Sequence, residues 1–297
     1  MKIILQLIKD RVVQVFQAII AYLLFWAIRF IPIDFASKIG EFVGFKIGPH
    51  LPVTNVARKN LIAALPDAAM SEINLIIRGM WGNLGRSLFE FPHLDKINFE
   101  KLSGRCEIVG VEHIDALRDD GLPGVFVSGH FANWEVIALG LISRNIPIHL
   151  IYRAPNNPLM ESLFARRNLG RGELLPKGTK GAKRAIQLLK SGEHLAMLVD
   201  QKMNDGIAVP FFGRDAMTAP AVAQFAYRYN SPIVLLRLER VHAVKFRLTA
   251  FPPMPLPDTG NETKNIECLM AKINAIMESW IRERPEQWLW AHKRWPN

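Results

Sequence analysis

The chain reads as an α/β protein: a layered domain with a mostly buried central sheet flanked by helices, preceded by an N-terminal membrane-anchoring helix. Three observations predict this. From about residue 105 onward, continuous apolar runs of strand length alternate with amphipathic runs of helix length, the pattern of a sheet covered on both faces. Residues 12–28, "VVQVFQAIIAYLLFWAI", carry no charge. The composition, 49% hydrophobic with 22% charged residues and a mean hydropathy of +0.10, is apolar for a soluble protein and too charged for a polytopic membrane protein. At 297 residues the chain fits one large domain with an appended helix. The expected division is a membrane-associated helix in residues 1–33 and one catalytic-sized α/β domain in residues 34–297.

As a helix, residues 12–28 would measure roughly 25 Å, slightly less than a hydrocarbon core of about 30 Å. Lys2, Lys9 and Arg11 precede the segment and Arg29 follows it. It either spans with help from "IRFIPI" or lies tilted in one leaflet; a buried core helix is the competing reading. Helices follow in "DFASKIGEFVGFKIG", with Asp34 as its cap, in "TNVARKNLIAAL" after Pro52, and in "SEINLIIRGMWGNLGRSLFE", capped by Ser71. This region reads as scaffold. The strand and helix pairs then begin: "GVFVSG" with "NWEVIALGLISR", "IHLIYR" with "NPLMESLFARRN", "GAKRAIQLLKSG" with "HLAMLVD", and "APAVAQFAYRYN" with "PIVLLRLER". "AVKFRLTAF" is a further strand and "TKNIECLMAKINAIMESWIRERP" a closing helix.

Net charge is +10, from 37 Lys and Arg against 27 Asp and Glu, which favours anionic partners such as acidic lipids, phosphorylated substrates or an acidic carrier protein. No nucleic-acid-binding signature appears. Cys106 and Cys268 lie far apart with no CxxC or histidine cluster, so neither a disulfide framework nor a metal site is expected and no cofactor is indicated. A reducing cytoplasmic environment follows.

The candidate chemistry lies in "SGHFANWE", residues 128–135. His130 follows a buried strand through Ser128 and Gly129, where open α/β sheets place their ligands. Glu135 is five residues on, about 140° around a regular helix, so the two meet only if His130 lies in the turn before the helix. In that layout Asn133 sits near the cap and Glu135 in the first turn, from which its carboxylate could hold one imidazole nitrogen and leave the other to take a proton. The pattern alone is weak, since chance produces it about 0.7 times in this composition. A capped turn histidine beside an exposed carboxylate is the alternative.

Three more segments add to it: "YRAPNNPLMESL" at 152–163, "LVDQKMNDGIAVPFFGRDAMTAPA" at 198–221 and "PEQWLWAHKRWP" at 285–296. With "SGHFANWE" they resemble, in order and interval, the bacterial lipid A late acyltransferases, the lauroyl and myristoyl transferases of the wider glycerolipid acyltransferase superfamily. The resemblance covers most of the chain. It implies transfer of a fatty acyl group from acyl carrier protein to a hydroxyl of a lipid A precursor, at the cytoplasmic face of the bacterial inner membrane among its lipids. His130 and Glu135 match the H-x4-D/E catalytic pair, with His130 as general base on the acceptor hydroxyl and no nucleophilic side chain required. Gly129 and the amides opening the helix could then stabilise the oxyanion.

Arg153 matches the "YR" block and suits a substrate phosphate, or else pairs with a surface acid. Asp200 and Gln201 match the D-Q block and are expected to line the same pocket, Asp200 either in direct contact with substrate or fixing a loop by hydrogen bonds. Asn133 is the further substrate-binding candidate. "VPFF" at 209–212 is either part of the acyl or acceptor site or an apolar hairpin on the core. Arg166, Arg167, Arg171, Lys177, Lys180, Lys183 and Arg184 could receive the carrier protein or lipid phosphates, or form a solvated basic face. The tryptophans of "QWLWAHKRWP" suit a membrane interface or a docked terminal element, and His292 lacks an acid at the required spacing. Acylation of another glycolipid or of a lysophospholipid, an acyl-CoA donor, and a non-catalytic lipid-binding relative are the alternatives.

Overall fold

A computed structural model describes the backbone of residues 2–99 and 104–295 and, from Asp10 on, their side chains. The side chains of Lys2 and Lys9, and Met1, Pro296 and Asn297, lie outside the described residues.

Four helices open the chain: α1 (Lys2–Phe30), α2 (Ile33–Ile47), α3 (Thr54–Ala64) and α4 (Met70–Glu90). Strands and helices then alternate as β1 (Cys106–Val109), α5 (Val111–Asp119), β2 (Val125–Ser128), α6 (Glu135–Ser143), β3 (Ile148–Tyr152), the single turn α7 (Glu161–Phe164), β4 (Leu174–Pro176), α8 (Thr179–Lys190) and β5 (His194–Leu198). After the hairpin β6 (Ile207–Phe211) and β7 (Arg214–Thr218) come α9 (Ala221–Tyr229), β8 (Ile233–His242), β9 (Lys245–Ala250) and α10 (Glu262–Glu283).

The seven-stranded sheet has the order β1-β9-β8-β2-β5-β3-β4 and is parallel except between β8 and β9. Strand alternation divides the core in two. Val125, Val127, Leu195, Met197, Ile233 and Leu235 face α4, α8, α9 and α10, while Phe126, Ala196, Val234 and Leu236 face α5 and α6. The expected layered α/β class is the observed one.

The helices before the sheet begin differently from expectation. Pro32 precedes α2 without a side-chain cap, and Asp34 in its first turn pairs with Arg105 at 2.7 Å instead. Ala69 precedes α4, again without a side-chain cap. Their packing follows from glycine spacing: Gly40, Gly44 and Gly48 line one face of α2 and its end, and a methyl group on Gly85 of α4 would stand 2.0 Å from the Gly40 carbonyl oxygen. Only glycines let these backbones approach so closely.

α1 is not a buried core helix. Positions 14, 18, 21, 22, 25, 28 and 29 are half-buried or buried against the domain, one helical stripe, while every other residue from Asp10 to Phe30 is exposed. Asn157 Nδ2 donates to the Gln14 carbonyl at 2.8 Å, Tyr22 hydroxyl bonds Ser162, and Arg29 pairs with Asp95 and donates to the Pro92 carbonyl at 2.7 Å. The 21 residues Asp10–Phe30, with mean hydropathy 1.7, are long and apolar enough to cross a membrane.

β1 and β4, runs of four and three residues, carry no readable period in the sequence, and the nine-residue α5 buries only Ile114 and Leu117, too few to mark a helical face there. "VPFF" lies in the β6–β7 hairpin, packed on the core through Val209, Phe211 and Phe212.

Candidate active site

β2 and β5 are neighbours in register, with Ser128 opposite Leu198. Each strand ends and the chain runs two residues further, to His130 and to Asp200. The two side chains meet there. His130 Nδ1 lies 2.7 Å from Asp200 Oδ1, and the His130 amide donates to Asp200 Oδ2 at 2.8 Å. Trp288 Nε1, from the segment after α10, donates to the same Oδ2 at 2.7 Å. Gly129 allows this approach, since a methyl group there would stand 3.1 Å from the Asp200 carboxylate.

Asp200 is 1% exposed. Burial alone would push its carboxyl up, but the charge of and hydrogen bonds from His130 outweigh that and hold it well below the usual carboxylate range. An ionised carboxylate only accepts, so Nδ1 carries a proton, and in the neutral ring Nε2 keeps its lone pair. Gln201 Nε2 stands 3.2 Å from that lone pair. The Trp134 ring packs edge-on against the imidazole, with centroids 5.0 Å apart.

Glu135 therefore does not hold the imidazole nitrogen, as the spacing had suggested; Asp200 does. The reason lies in the turn: α6 starts on Glu135 itself, and its carboxylate reaches Arg167, with Oε1 3.2 Å from Nη2. Burial pushes the Glu135 carboxyl up, against the opposing pull of Arg167 and then of His130. Arg167 leaves the basic cluster for this interior position, its guanidinium over the rings of Tyr152 and Phe164. Arg184 likewise pairs with Glu173 at 2.6 Å.

His130 opens onto a cavity of about 590 Å³, within the usual range for ligand pockets. Its floor is the sheet face of Phe126, Leu150, Ala196, Leu198 and Leu236; α6 supplies Ile137 and Ala138, and α1 supplies Ala21, Leu24, Phe25 and Ile28. Glu135, Arg153, Arg167, Lys177 and Gln201 add polar groups. Arg153 is exposed, and its Nη2 lies 3.3 Å from Asn156 Oδ1 rather than on a carboxylate. Asn133 is fully buried; its Nδ2 donates to Glu90 Oε2 at 2.8 Å, while its Oδ1 and the Ser128 hydroxyl are unpaired. An apolar chamber with a histidine lone pair at its wall can bind an aliphatic chain and deprotonate a hydroxyl brought alongside.

The family model described as bacterial lipid A biosynthesis acyltransferase matches residues 7–297. The chain belongs to that family. Among its relatives, a lipid A biosynthesis acyltransferase of Haemophilus influenzae is 23% identical over 270 residues, covering 89% of this chain and 82% of the relative. A lipid A biosynthesis palmitoleoyltransferase of Escherichia coli is 24% identical, covering 85% and 83%. The lauroyltransferase of the same organism is also 24% identical, covering 80% and 78%.

In this lipid A acyltransferase family member the structure brings His130, Glu135, Asn133, Arg153, Asp200 and Gln201 to one cavity or, for Asp200, to the residue that lines it. The C-terminal tryptophans are docked on the core: Trp288 and Trp290 are fully buried and Trp295 nearly so. His292 is half-buried between the Leu289 carbonyl at 2.6 Å and the Asp200 carbonyl at 3.3 Å, and desolvation pushes its imidazole down. The sequence singles out Trp288 and Arg167 but not their pairing with Asp200 and Glu135, which lie 88 and 32 positions away, and no local spacing encodes such pairs.

Proposed function

We propose that the protein transfers a fatty acyl group from the thioester of acyl carrier protein to a hydroxyl of a lipid A precursor. The observation that carries this reading is the His130 Nε2 lone pair at the wall of an apolar 590 Å³ cavity, fixed from behind by an ionised, buried Asp200. The acyl chain occupies the cavity, each buried methylene contributing about 0.8 kcal/mol. The acceptor hydroxyl displaces Gln201 from Nε2, gives up its proton there and attacks the thioester carbonyl. The carbon–sulfur bond breaks and the imidazolium returns the proton to the thiolate. Asp200 orients the ring and stabilises the imidazolium, and the half-buried Glu135, when ionised against Arg167, adds to that stabilisation. Amides opening α6 serve the oxyanion.

Arg153, with Lys177 beside it at the cavity, receives an acceptor phosphate, and the unpaired Asn133 Oδ1 accepts from the acceptor's polar head. Residues 1–33 dock the catalytic domain, residues 34–297, on the cytoplasmic face of the inner membrane. The exposed apolar residues Phe16, Leu23 and Phe30 of α1, and Phe35 and Phe42 of α2, support that placement.

The test is His130→Ala assayed as purified full chain with acyl carrier protein thioester and lipid A precursor. Transfer should fall at least about 10²-fold with an unchanged circular dichroism spectrum and melting temperature. Undiminished transfer overturns the reading. Parallel assays with acyl-CoA and with lysophospholipid decide donor and acceptor.

A further inference from the structure

α4 ends inside the molecule on a carboxylate that the acyl-transfer chemistry leaves unused. Glu90 is fully buried, and its two oxygens accept four hydrogen bonds. Oε1 takes Ser37 Oγ and Arg240 Nη1, both at 2.6 Å; Oε2 takes Asn133 Nδ2 at 2.8 Å and Arg240 Nη2 at 3.0 Å. Arg240 is buried as well, its Nε on Asn83 Oδ1 at 3.0 Å and its Nη1 on the Ala243 carbonyl at 2.6 Å. A buried ion pair is weak evidence for stability, because well-packed apolar residues of the same volume usually serve as well. Its use must be sought in what it holds.

It holds the turn that carries His130. Ala132 has φ +48°, the left-handed region where a residue with a side chain is strained and persists only when its surroundings over-determine it. The Ala132 carbonyl accepts from Asn83 Nδ2 at 3.0 Å and Ser87 Oγ at 3.1 Å, both on α4. Its amide donates to the Gln287 carbonyl at 2.8 Å. The Gln287 side chain in turn exchanges two hydrogen bonds with the backbone of Arg240, at 2.8 and 2.9 Å, where β8 shifts register. The next residue, Asn133, is gripped by Glu90. Neither Glu90 nor Arg240 lines the cavity.

We infer that Glu90 and Arg240 are a positioning pair: they lock α4, β8 and Asn133 around the left-handed residue Ala132 and so fix the direction in which His130 faces the cavity. This rests on the acyl-transfer reading above. An imidazole displaced by about 1 Å costs on the order of 10²-fold in rate, so the pair acts on turnover rather than on binding of the acyl donor.

The test uses the full chain with acyl carrier protein thioester and lipid A precursor, assayed well below each variant's melting temperature. Glu90→Gln keeps the shape but places amide hydrogens against the donors of Asn133 and Arg240. Its kcat should fall on the order of 10²-fold while KM for the acyl donor stays within about threefold. Asn83→Ala leaves the contacts between Glu90 and Arg240 in place and removes one hydrogen bond to Ala132 and one from Arg240 Nε, so it decides the matter if Glu90→Gln does not fold; a kcat loss of about fivefold or more at constant KM for the acyl donor is expected. A merely structural role leaves kcat per folded molecule unchanged in both, and that result overturns the inference. If the wild-type chain transfers and the variants match it, only the positioning role falls; if the wild-type chain transfers nothing, the reading beneath it falls too.

Discussion

His130 stands between two carboxylates that bear opposite electrostatic loads. Asp200 is held ionised by the imidazole it touches, whereas burial pushes the Glu135 carboxyl up. The folded-state pKa of Asp200 lies below its ordinary value of 3.8, so on acidification the unfolded chain takes up that proton first. The stabilisation is complete above about pH 4 and is lost as pH falls through the depressed folded value. Glu135 leans the other way, since a raised pKa makes stability decline as pH rises through the interval above its ordinary 4.5. Asp200→Asn should flatten the slope of urea-unfolding free energy against pH below about pH 4. It also puts amide hydrogens against Nδ1 and favours the wrong imidazole tautomer, so acyl transfer should fall by on the order of 10²- to 10⁴-fold. An unaltered acid slope, or turnover within tenfold of wild type, would count against the pair.

At the scale of elements, the site is built by two adjacent strands that each run two residues past the sheet. Both runs, "FVSGH" and "MLVDQ", are visible in the sequence, and the strand-turn-helix placement of His130 followed from the five-residue spacing. What the sequence leaves open is that β5, rather than β3, lies beside β2. That choice selects Asp200 over Glu135 as the imidazole's partner, and it depends on long-range pairing that no local period reports. For the same reason α4 read as scaffold, although its Asn83, Ser87 and Glu90 hold the active turn. α1 is the other element whose role exceeds its composition: one stripe lines the cavity while the opposite stripe is exposed. Phe25→Ala, which removes a buried ring under the Arg166 guanidinium, should raise KM for the acyl donor about fivefold or more and leave vesicle partitioning within twofold. Leu23→Ser should do the reverse. If both variants change the same parameter, the two stripes do not have separate roles.

For the molecule as a whole, the packing of α1 decides its attitude in a bilayer. A spanning helix is surrounded by lipid or by other spanning helices, but four turns of α1 are tied to the catalytic domain by Asn157, Ser162 and Asp95. What remains for lipid is a broad apolar surface that includes Val12, Val13, Val15, Phe16, Ile19, Ile20, Leu23, Leu24, Trp26 and Phe30, continued on α2 by Phe35, Ile39 and Phe42. Lys46 lies over the Phe42 ring and Arg78 over the Phe45 ring, placing cations at the edge of the apolar surface, and the net charge of +10 draws it to anionic lipid. From these features we expect α1 to lie in the membrane plane, within one leaflet. The expectation can be read with single cysteines at positions 12, 19 and 26, spin-labelled in a Cys268→Ser background because Cys268 is exposed, on vesicles containing anionic phospholipid. An in-plane helix gives the three labels one depth. A spanning helix rises 1.5 Å per residue, so labels at 12 and 26 would differ by about 21 Å. A depth gradient of that size would require the catalytic domain to detach from α1, and with it the cavity wall of Ala21, Leu24, Phe25 and Ile28 would be lost.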